Sequence, residues 1–246
     1  KLSDMSEYLA MCQLSNESYE QFWAKLAREF LIWHSPFTSI LNDQNPPFYR
    51  WFEDGMLNAS YNCIDRHVRS GNGDKVALVF ESDDGKIEKV SYKTLLVKVC
   101  KFANALIRKG YKKGDRAIIY MPMSIEGVVS MQACARLGIT HSVVFGGFSA
   151  KSLEERIIDV GAKFIITADE QVRGGKNIPL KKAVDEALTG EASNNVKDVI
   201  VYRRTGIGIE MSARDVFLEE IIESEEDYCE PVYVESEHPL FVLYTS

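Results

Sequence analysis

The residues best suited to chemistry form a short basic stretch, Arg173-Gly174-Gly175-Lys176. Arginine offers a planar fork of donors and lysine a compact positive charge, while the two glycines leave the backbone free to fold closely around a ligand. The spacing therefore favours the binding of one phosphate group between two cations. A solvated surface loop is an equally simple interpretation, because short basic motifs recur by chance.

A second pair of glycines, Gly146 and Gly147, follows an apolar run that ends at Phe145. Glycines at such a turn let the backbone approach a ligand, and the first amides of a following helix attract negative charge. A plain tight turn between a strand and a helix would use the same residues. Residues 145–147 are called the glycine loop below, and residues 173–176 the basic stretch.

Carboxylates precede the basic stretch, and we interpret Asp169 and Glu170 as groups that orient or balance its two cations. The sequence contains no paired carboxylates, Ser-His-Asp arrangement or metal-ligand spacing, so we predict neither a catalytic residue nor a metal ligand. The acidic run at residues 219–227 lacks the alternating ligands and turn glycine of a calcium loop. It is predicted to be solvated surface.

The elements expected to position these residues are βαβ units. Short apolar runs alternate with segments whose apolar residues recur at helical spacing, which predicts an α/β fold with a mostly parallel sheet and helices on both faces. Ligands of such sheets bind beyond the carboxyl ends of the strands, where both glycine-containing stretches fall. The predicted strands are residues 116–120, 141–145, 163–167, 199–202 and 240–244, and the predicted helices are residues 92–109, 122–138, 149–160, 180–188 and 213–224.

Two domains are predicted. Residues 1–73 form an N-terminal arm and an aromatic-rich irregular segment, and residues 74–246 form the α/β subdomain. Within the arm, residues 18–33 fit an amphipathic helix with its aromatic residues on one face. Residues 75–81 and 87–92 flank an Asp-Asp-Gly turn and are predicted to form a small β-hairpin.

Composition excludes several classes of protein. The sequence is 46% hydrophobic and 26% charged, which is ordinary for a soluble domain. A net charge of −7 argues against nucleic-acid binding, which depends on clustered Lys and Arg. No apolar run approaches the roughly 20 residues that span a bilayer, so no membrane partner is predicted. Five scattered cysteines without a CxxC pair favour reduced thiols and a cytoplasmic location.

Four stretches of the sequence resemble the acetyl-CoA synthetases, which are AMP-forming acetate–CoA ligases of the adenylate-forming superfamily. They are WFEDGMLNASYNCIDRHV, KKGDRAIIYMPMSIEGVVSMQACARLGITHSVVFGGFS, RIIDVGAKFIITADEQVRGGKNIPLKK and VYRRTG. The resemblance covers nearly the whole chain from about Ser15. The segment TADEQVRGGK separates it from the related propionate–CoA ligases, which share YMPM and VFGGF.

The resemblance implies a two-step reaction. Acetate attacks the α-phosphate of MgATP to give acetyl-AMP and pyrophosphate, and the thiol of CoA then takes the acetyl group. It also implies that the basic stretch binds the 3′-phosphate of CoA through Arg173 and Lys176, and that the glycine loop lines the adenine. Lys176 stands where the family usually has Arg, which keeps the charge but loses the bidentate fork.

The resemblance further places Thr245 and Ser246 at the start of the loop that wraps the ATP phosphates. The acetate pocket, the ligands of ATP and Mg²⁺ and a mobile domain would follow, so the rest of the synthetase chain is expected to pack on this one. We therefore expect a fragment that ends at this loop, is inactive alone and carries part of the CoA site. Three alternatives stay open: a ligase for another short-chain acid such as propionate, a non-catalytic CoA- or nucleotide-binding module, and a packing domain without a ligand.

Overall fold

The computed structural model of the chain describes residues 3–244, and these divide into two compact units. One unit comprises the described residues up to Asn58 together with Tyr233–His238. The other comprises Ala59–Val232 and the described residues from Pro239 onwards. None of the helices between residues 3 and 244 combines the length and the apolar character that crossing a membrane requires.

Helices and strands alternate through most of the chain. The α-helices are α1 (Met5–Glu17), α2 (Tyr19–Phe30), α3 (Tyr92–Arg108), α4 (Ile125–Arg136), α5 (Ala150–Val160), α6 (Leu180–Ala187) and α7 (Leu218–Ile222). The strands are β1 (Leu41–Asn42), β2 (Arg50–Trp51), β3 (Met56–Leu57), β4 (Val76–Glu81), β5 (Ile87–Ser91), β6 (Arg116–Met121), β7 (Thr140–Phe145), β8 (Phe164–Ala168), β9 (Gln171–Arg173), β10 (Lys176–Ile178), β11 (Asp198–Tyr202), β12 (Asp215–Phe217) and β13 (Val234–Glu235).

The larger unit is built on a five-stranded parallel sheet, in the spatial order β12-β11-β8-β6-β7. The predicted parallel sheet is confirmed, and its middle strand β8 is buried along its whole length. Crossovers between parallel strands are right-handed, and the chain steps outward from β6 to β7 and then back past β6 to β8. This reversal puts α4 and α5 on opposite faces of the sheet, as the α/β prediction requires.

The same reversal positions the candidate site. Because β6 lies between β7 and β8, the connections that leave the carboxyl ends of β6 and β8 run to opposite faces and separate there. A crevice at that edge is where open α/β sheets bind ligands. The glycine loop follows β7 and the basic stretch follows β8, so both lie at this edge.

The small hairpin is also as predicted. β4 and β5 pair antiparallel across the Asp83-Asp84-Gly85 turn, and Gly85 has φ +78°. Helix α3 follows directly and buries its apolar face in the core beside α4, with Val99, Phe102 and Leu106 fully buried. The hairpin turn carries the acidic side chains of Asp83 and Asp84.

Two predictions at the carboxyl-terminal side of the sheet were wrong. Residues 213–224 were expected to be one helix, but Asp215–Phe217 is the edge strand β12 and only Leu218–Ile222 is helical. Strand pairing with β11 outweighs the helical spacing of this short segment. Residues 240–244 do not form a strand in the described part of the chain: Phe241 makes one isolated bridge to His141, and Leu243 is 70% exposed.

The smaller unit contains helices α1 and α2, of which only the second was predicted. The prediction that the aromatic residues of α2 form its buried face is wrong, because Tyr19, Trp23 and Phe30 are exposed. Its buried side chains are instead Ala24 and Ala27. These small residues pack with a cluster of larger side chains from the following irregular segment, namely Leu31, Trp33, Phe37, Ile40 and Phe52.

Candidate functional site

A cleft of 280 Å³ opens at the carboxyl ends of β6 and β7. Its lining includes Met121 and Pro122 from the end of β6, Phe145 and Gly146 from the end of β7, and Arg173 from β9. The cleft thus lies at the sheet edge that the sequence predicted, and it brings one cation of the basic stretch to the glycine loop.

The basic stretch is an ordered hairpin turn and not a loose loop. Strands β9 and β10 pair antiparallel, and Gly174 and Gly175, with φ +56° and +71°, form their two-residue connection. Positive φ at both central residues characterises the tightest hairpin turns, which is why two glycines stand here. Arg173 pairs with Lys176 across the hairpin, so the two side chains project from the same face.

Only one of the two cations reaches the glycine loop. The guanidinium carbon of Arg173 lies 4.9 Å from the centre of the Phe145 ring, within the range of a cation–π contact. Lys176 is exposed and is not among the residues that line the cleft. Among the described residues, neither Arg173 nor Lys176 forms an ion pair, so both positive charges are available to an anion.

Hydrogen bonds from neighbouring strands fix the glycine loop. Gln171 Nε2 donates to the carbonyl oxygen of Gly146 at 2.5 Å, and the amide of Gly147 donates to the hydroxyl oxygen of Tyr120 at 3.2 Å. Tyr120 donates in turn to the carbonyl oxygen of Phe148 at 2.9 Å, and burial raises the pKa of its hydroxyl, which keeps the proton in place. A Cβ at Gly146 would lie 2.9 Å from Gln171 Oε1, so a larger residue there would displace the side chain that holds the loop.

The acidic turn of the β4–β5 hairpin reaches the basic stretch. Asp83 Oδ2 accepts a hydrogen bond from the amide of Gly174 at 2.8 Å. Asp83 also lines the cleft. An anion that approached the basic stretch would therefore meet a carboxylate that already occupies one of its backbone donors.

From the sequence, Asp169 and Glu170 are expected to orient or balance the cations of the basic stretch, and for Asp169 the structure shows other partners. The buried carboxylate of Asp169 instead accepts hydrogen bonds from the backbone amides of Arg204, Thr205 and Gly206, at 2.9, 3.2 and 2.8 Å. Glu170 Oε2 accepts from the hydroxyl of Thr205 at 3.2 Å. Both carboxylates thus tie the loop after β11 to the end of β8, and Glu170 Oε2 also accepts from Asn177 Nδ2 on β10 at 2.8 Å. Among the described residues, neither carboxylate forms an ion pair with the cations of the basic stretch.

A larger cleft of 420 Å³ lies beside α6, away from the glycine loop. Its most distinctive lining residue is Lys181, which is 2% exposed and forms ion pairs with Asp185 at 2.5 Å and Asp215 at 2.9 Å. The ammonium group is therefore satisfied by protein carboxylates, which accounts for its burial without any ligand. We assign no function to this cleft.

The other predicted positions carry less information. Thr245 and Ser246 lie outside the described residues. In residues 3–244, no three His, Cys, Asp or Glu side chains are close enough to hold a metal ion together. Burial raises the pKa of the Cys134 thiol to about 12, so this cysteine stays protonated and is a core residue, not a nucleophile.

Sequence reasoning missed four side chains of the site: Asp83, Tyr120, Gln171 and Arg204. A signal existed for Gln171, because the two glycines between short β-forming runs predict a hairpin that would place it on the strand facing the glycine loop. Asp83, Tyr120 and Arg204 come from three other elements, and only the folded chain brings them to the same edge of the sheet.

Comparison with known proteins agrees with this architecture. A family model described as AMP-binding enzyme matches residues 64–246, which include the whole parallel sheet. The chain belongs to the AMP-binding enzymes. A second model, described as acetyl-coenzyme A synthetase N-terminus, matches residues 8–63.

Individual members of the family are similar along the entire chain. The acetyl-coenzyme A synthetase of Burkholderia lata is 60% identical over all 246 residues, and those of Ralstonia pickettii and Burkholderia mallei are each 57% identical over the same span. The chain covers 37% of the length of each of these relatives. The resemblance to the acetyl-CoA synthetases is therefore confirmed.

Proposed function

We propose that the protein acts as an AMP-forming acetate–CoA ligase and that the 280 Å³ cleft receives the nucleotide end of CoA. The main support for a CoA site in this cleft is the position of Arg173. Its guanidinium stacks on Phe145 and has no carboxylate partner among the described residues. An unpaired guanidinium beside an exposed aromatic ring suits a ligand that combines a phosphate with a purine.

Each group of the site has a role in this proposal. Arg173 binds the 3′-phosphate of CoA through its fork of donors, and Lys176 adds a second charge on the same face of the hairpin. The adenine lies against Phe145, which is 52% exposed, and passes close to Gly146 because no side chain intervenes there. Gln171 and Tyr120 hold the glycine loop in place for this contact.

The reaction itself needs further groups. Acetate, ATP and CoA are the proposed substrates, and Mg²⁺ would accompany ATP. Thr245 and Ser246 are proposed to begin the loop that wraps the ATP phosphates, and the remaining ligands would come from further chain packed on this one. Residues 1–73 and 74–246 are proposed as its arm and α/β subdomain, and a cytoplasmic location is supported by five free cysteines.

The test is release of pyrophosphate from ATP by the purified full-length gene product, with acetate and CoA supplied separately and together. Turnover that requires acetate and yields acetyl-CoA supports the proposal. Turnover with propionate but not acetate would overturn the acid assignment, and CoA binding without turnover would favour a non-catalytic binding module. The 57–60% identity to acetyl-coenzyme A synthetases supports acetate as the first acid to test.

A further inference from the structure

Arg204, in the loop after β11, lies where two clefts meet. It lines the 280 Å³ cleft that contains Arg173, and it also lines an adjoining cleft of 340 Å³ between the β4–β5 hairpin and the end of β11. Its guanidinium carbon is 5.6 Å from the centre of the Phe80 ring. Each of two guanidinium groups in the first cleft is thus placed against an aromatic ring, Arg173 on Phe145 and Arg204 on Phe80.

The guanidinium of Arg204 lacks the partners that an arginine of a folded protein normally finds. Its Nε atom is buried without a hydrogen-bond partner, and no carboxylate among the described residues forms an ion pair with it. Buried donors are usually satisfied, and an unsatisfied one needs an explanation such as a bound ligand. A chain with a net charge of −7 does not lack carboxylates that could have paired with it.

Arg203, the residue before Arg204, does have carboxylate partners. Arg203 forms ion pairs with Glu220 at 2.5 Å and Glu219 at 3.8 Å, and its guanidinium lies 3.3 Å from the centre of the Phe217 ring. Two adjacent arginines therefore have opposite situations: Arg203 is fully engaged with α7 and its preceding strand, and Arg204 turns to the clefts.

The backbone of Arg204 is held in place from behind. Asp169, which is 1% exposed, accepts hydrogen bonds from the amide of Arg204 and from those of the next two residues. A cation on such an anchored loop loses little conformational freedom when it binds a ligand, which favours tight binding. The anchor also explains why a buried carboxylate stands at the end of β8.

Two carboxylates beside the clefts, Asp83 and Asp84, already accept hydrogen bonds from other groups. Asp83 accepts from the amide of Gly174, and Asp84 accepts from the amide of Lys86 and from the hydroxyl of Ser82. Hydrogen bonding, chiefly from Ser82, lowers the pKa of Asp84. Glu81 is the other carboxylate in the lining of the first cleft, and it too forms no ion pair with Arg204.

We propose that Arg204 is a second phosphate-binding cation of the same ligand and that it contacts the diphosphate of CoA while Arg173 binds the 3′-phosphate. This inference rests on the proposed CoA site. CoA carries a phosphate at the 3′ position and a diphosphate at the 5′ position of one ribose, so it presents two separated anionic groups. Two arginines, one from β9 and one from the loop after β11, share this cleft and match that distribution of charge.

The test compares CoA with 3′-dephospho-CoA by titration calorimetry on the purified full-length gene product. Arg204→Gln should weaken the binding of both ligands by the same factor, about tenfold or more, because a charged hydrogen bond to the diphosphate is lost from each. The preference for CoA over 3′-dephospho-CoA should stay at the wild-type value. Arg204→Lys keeps the charge and much of the contact with Phe80, and it should weaken both ligands by a smaller factor.

Arg203→Gln is the matched control, since it removes the neighbouring guanidinium and should leave both affinities at the wild-type value. Arg173→Gln tests the proposed contact with the 3′-phosphate, and this variant should bind CoA and 3′-dephospho-CoA equally. Three results for Arg204→Gln would each overturn the inference. They are binding of both ligands with the wild-type affinity, loss of the preference for CoA, and weaker binding of ATP while CoA binding is unchanged. If Arg173→Gln also binds both ligands normally, the proposed CoA site itself fails.

Discussion

Asp83 and Gly174 join two hairpin turns that are distant in sequence: the carboxylate of Asp83 accepts a hydrogen bond from the amide of Gly174 at 2.8 Å. The contact places a negative charge at a turn flanked by Arg173 and Lys176, neither of which forms an ion pair in residues 3–244. A phosphate at this turn would have to share the amide with Asp83 or displace it. The affinity of the site for an anion is therefore set partly by the β4–β5 hairpin.

Replacing Asp83 with Asn should strengthen CoA binding. The amide oxygen can still accept from Gly174, but the charge that repels a phosphate is gone, which at surface distances amounts to about 1 kcal/mol or a fewfold in affinity. Titration calorimetry at low and high salt measures the effect, and the gain should shrink as salt screens the charge. Asp74→Asn, at the far end of the hairpin, is the control. Weaker CoA binding by the Asp83 variant alone would contradict this role.

Removing the charge of Asp169 should loosen the loop that carries Arg204. In Asp169→Asn one acceptor oxygen becomes an NH₂ group that faces the amides of residues 204–206, which leaves buried donors without partners. We expect a loss of about 2 kcal/mol in the free energy of unfolding. Hydrogen exchange of residues 203–208 should become faster while exchange in β6 stays slow. Unchanged protection of this loop would show that Asp169 does not anchor it.

The ion pair between Arg136 and Asp65 should dominate the stability of the region beneath α4. Its nitrogen–oxygen distances are 2.8 and 3.0 Å, and both side chains are buried. Asp65→Asn removes the charge that two nitrogens of this buried guanidinium bind, and it should lower the free energy of unfolding by about 3 to 5 kcal/mol in urea denaturation. By comparison, Glu220→Gln, which removes a partner of Arg203 at the surface, should cost less than about 1 kcal/mol. Equal losses in the two variants would rule out this ranking.

His141 should make the protein less stable in mild acid. Burial lowers the pKa of its imidazole from 6.5 to about 4, and Nδ1 has no hydrogen-bond partner. Between these two pKa values the unfolded chain takes up a proton that the folded chain refuses, so stability is complete above pH 6.5 and falls as the pH drops towards 4. At pH 5 this loss amounts to about 2 kcal/mol.

The measurement is the free energy of unfolding of the wild type and of His141→Gln, from urea titrations at pH 7.5 and pH 5. The wild type should lose about 2 kcal/mol more than the variant between these pH values, because only the wild type carries the titrating group. Parallel losses in the two proteins would show that another group causes the acid sensitivity.

The parallel strands could be predicted because a strand buried on both faces is a short continuous apolar run, as in Phe164-Ile165-Ile166. Strand β12 could not, since three residues give no period and its pairing with β11 is decided by the fold. The hairpin of the basic stretch was within reach, because a Gly-Gly pair is a strong turn signal. The positions of Thr245 and Ser246 stay predictions.

The different partners of Arg203 and Arg204 could not be predicted from the sequence. The two residues have the same side chain and adjacent positions, and nothing local distinguishes them. What separates them is long-range: Glu219 and Glu220 approach one side of the loop after β11, and Phe80 lies on the other. Asp65 was missed for the same reason, since its partner Arg136 is 71 residues away.

Binding of the CoA 3′-phosphate by Arg173 is tested most directly by the steady-state KM values of CoA and 3′-dephospho-CoA at saturating acetate and ATP. The wild type should prefer CoA by about tenfold or more, the value of a charge-assisted hydrogen bond to the missing phosphate. Arg173→Ala should bring the two KM values together, and Lys182→Ala, on the exposed side of α6, should keep them apart. An Arg173→Ala enzyme that still prefers CoA as strongly as the wild type would contradict the assignment of this cleft to CoA.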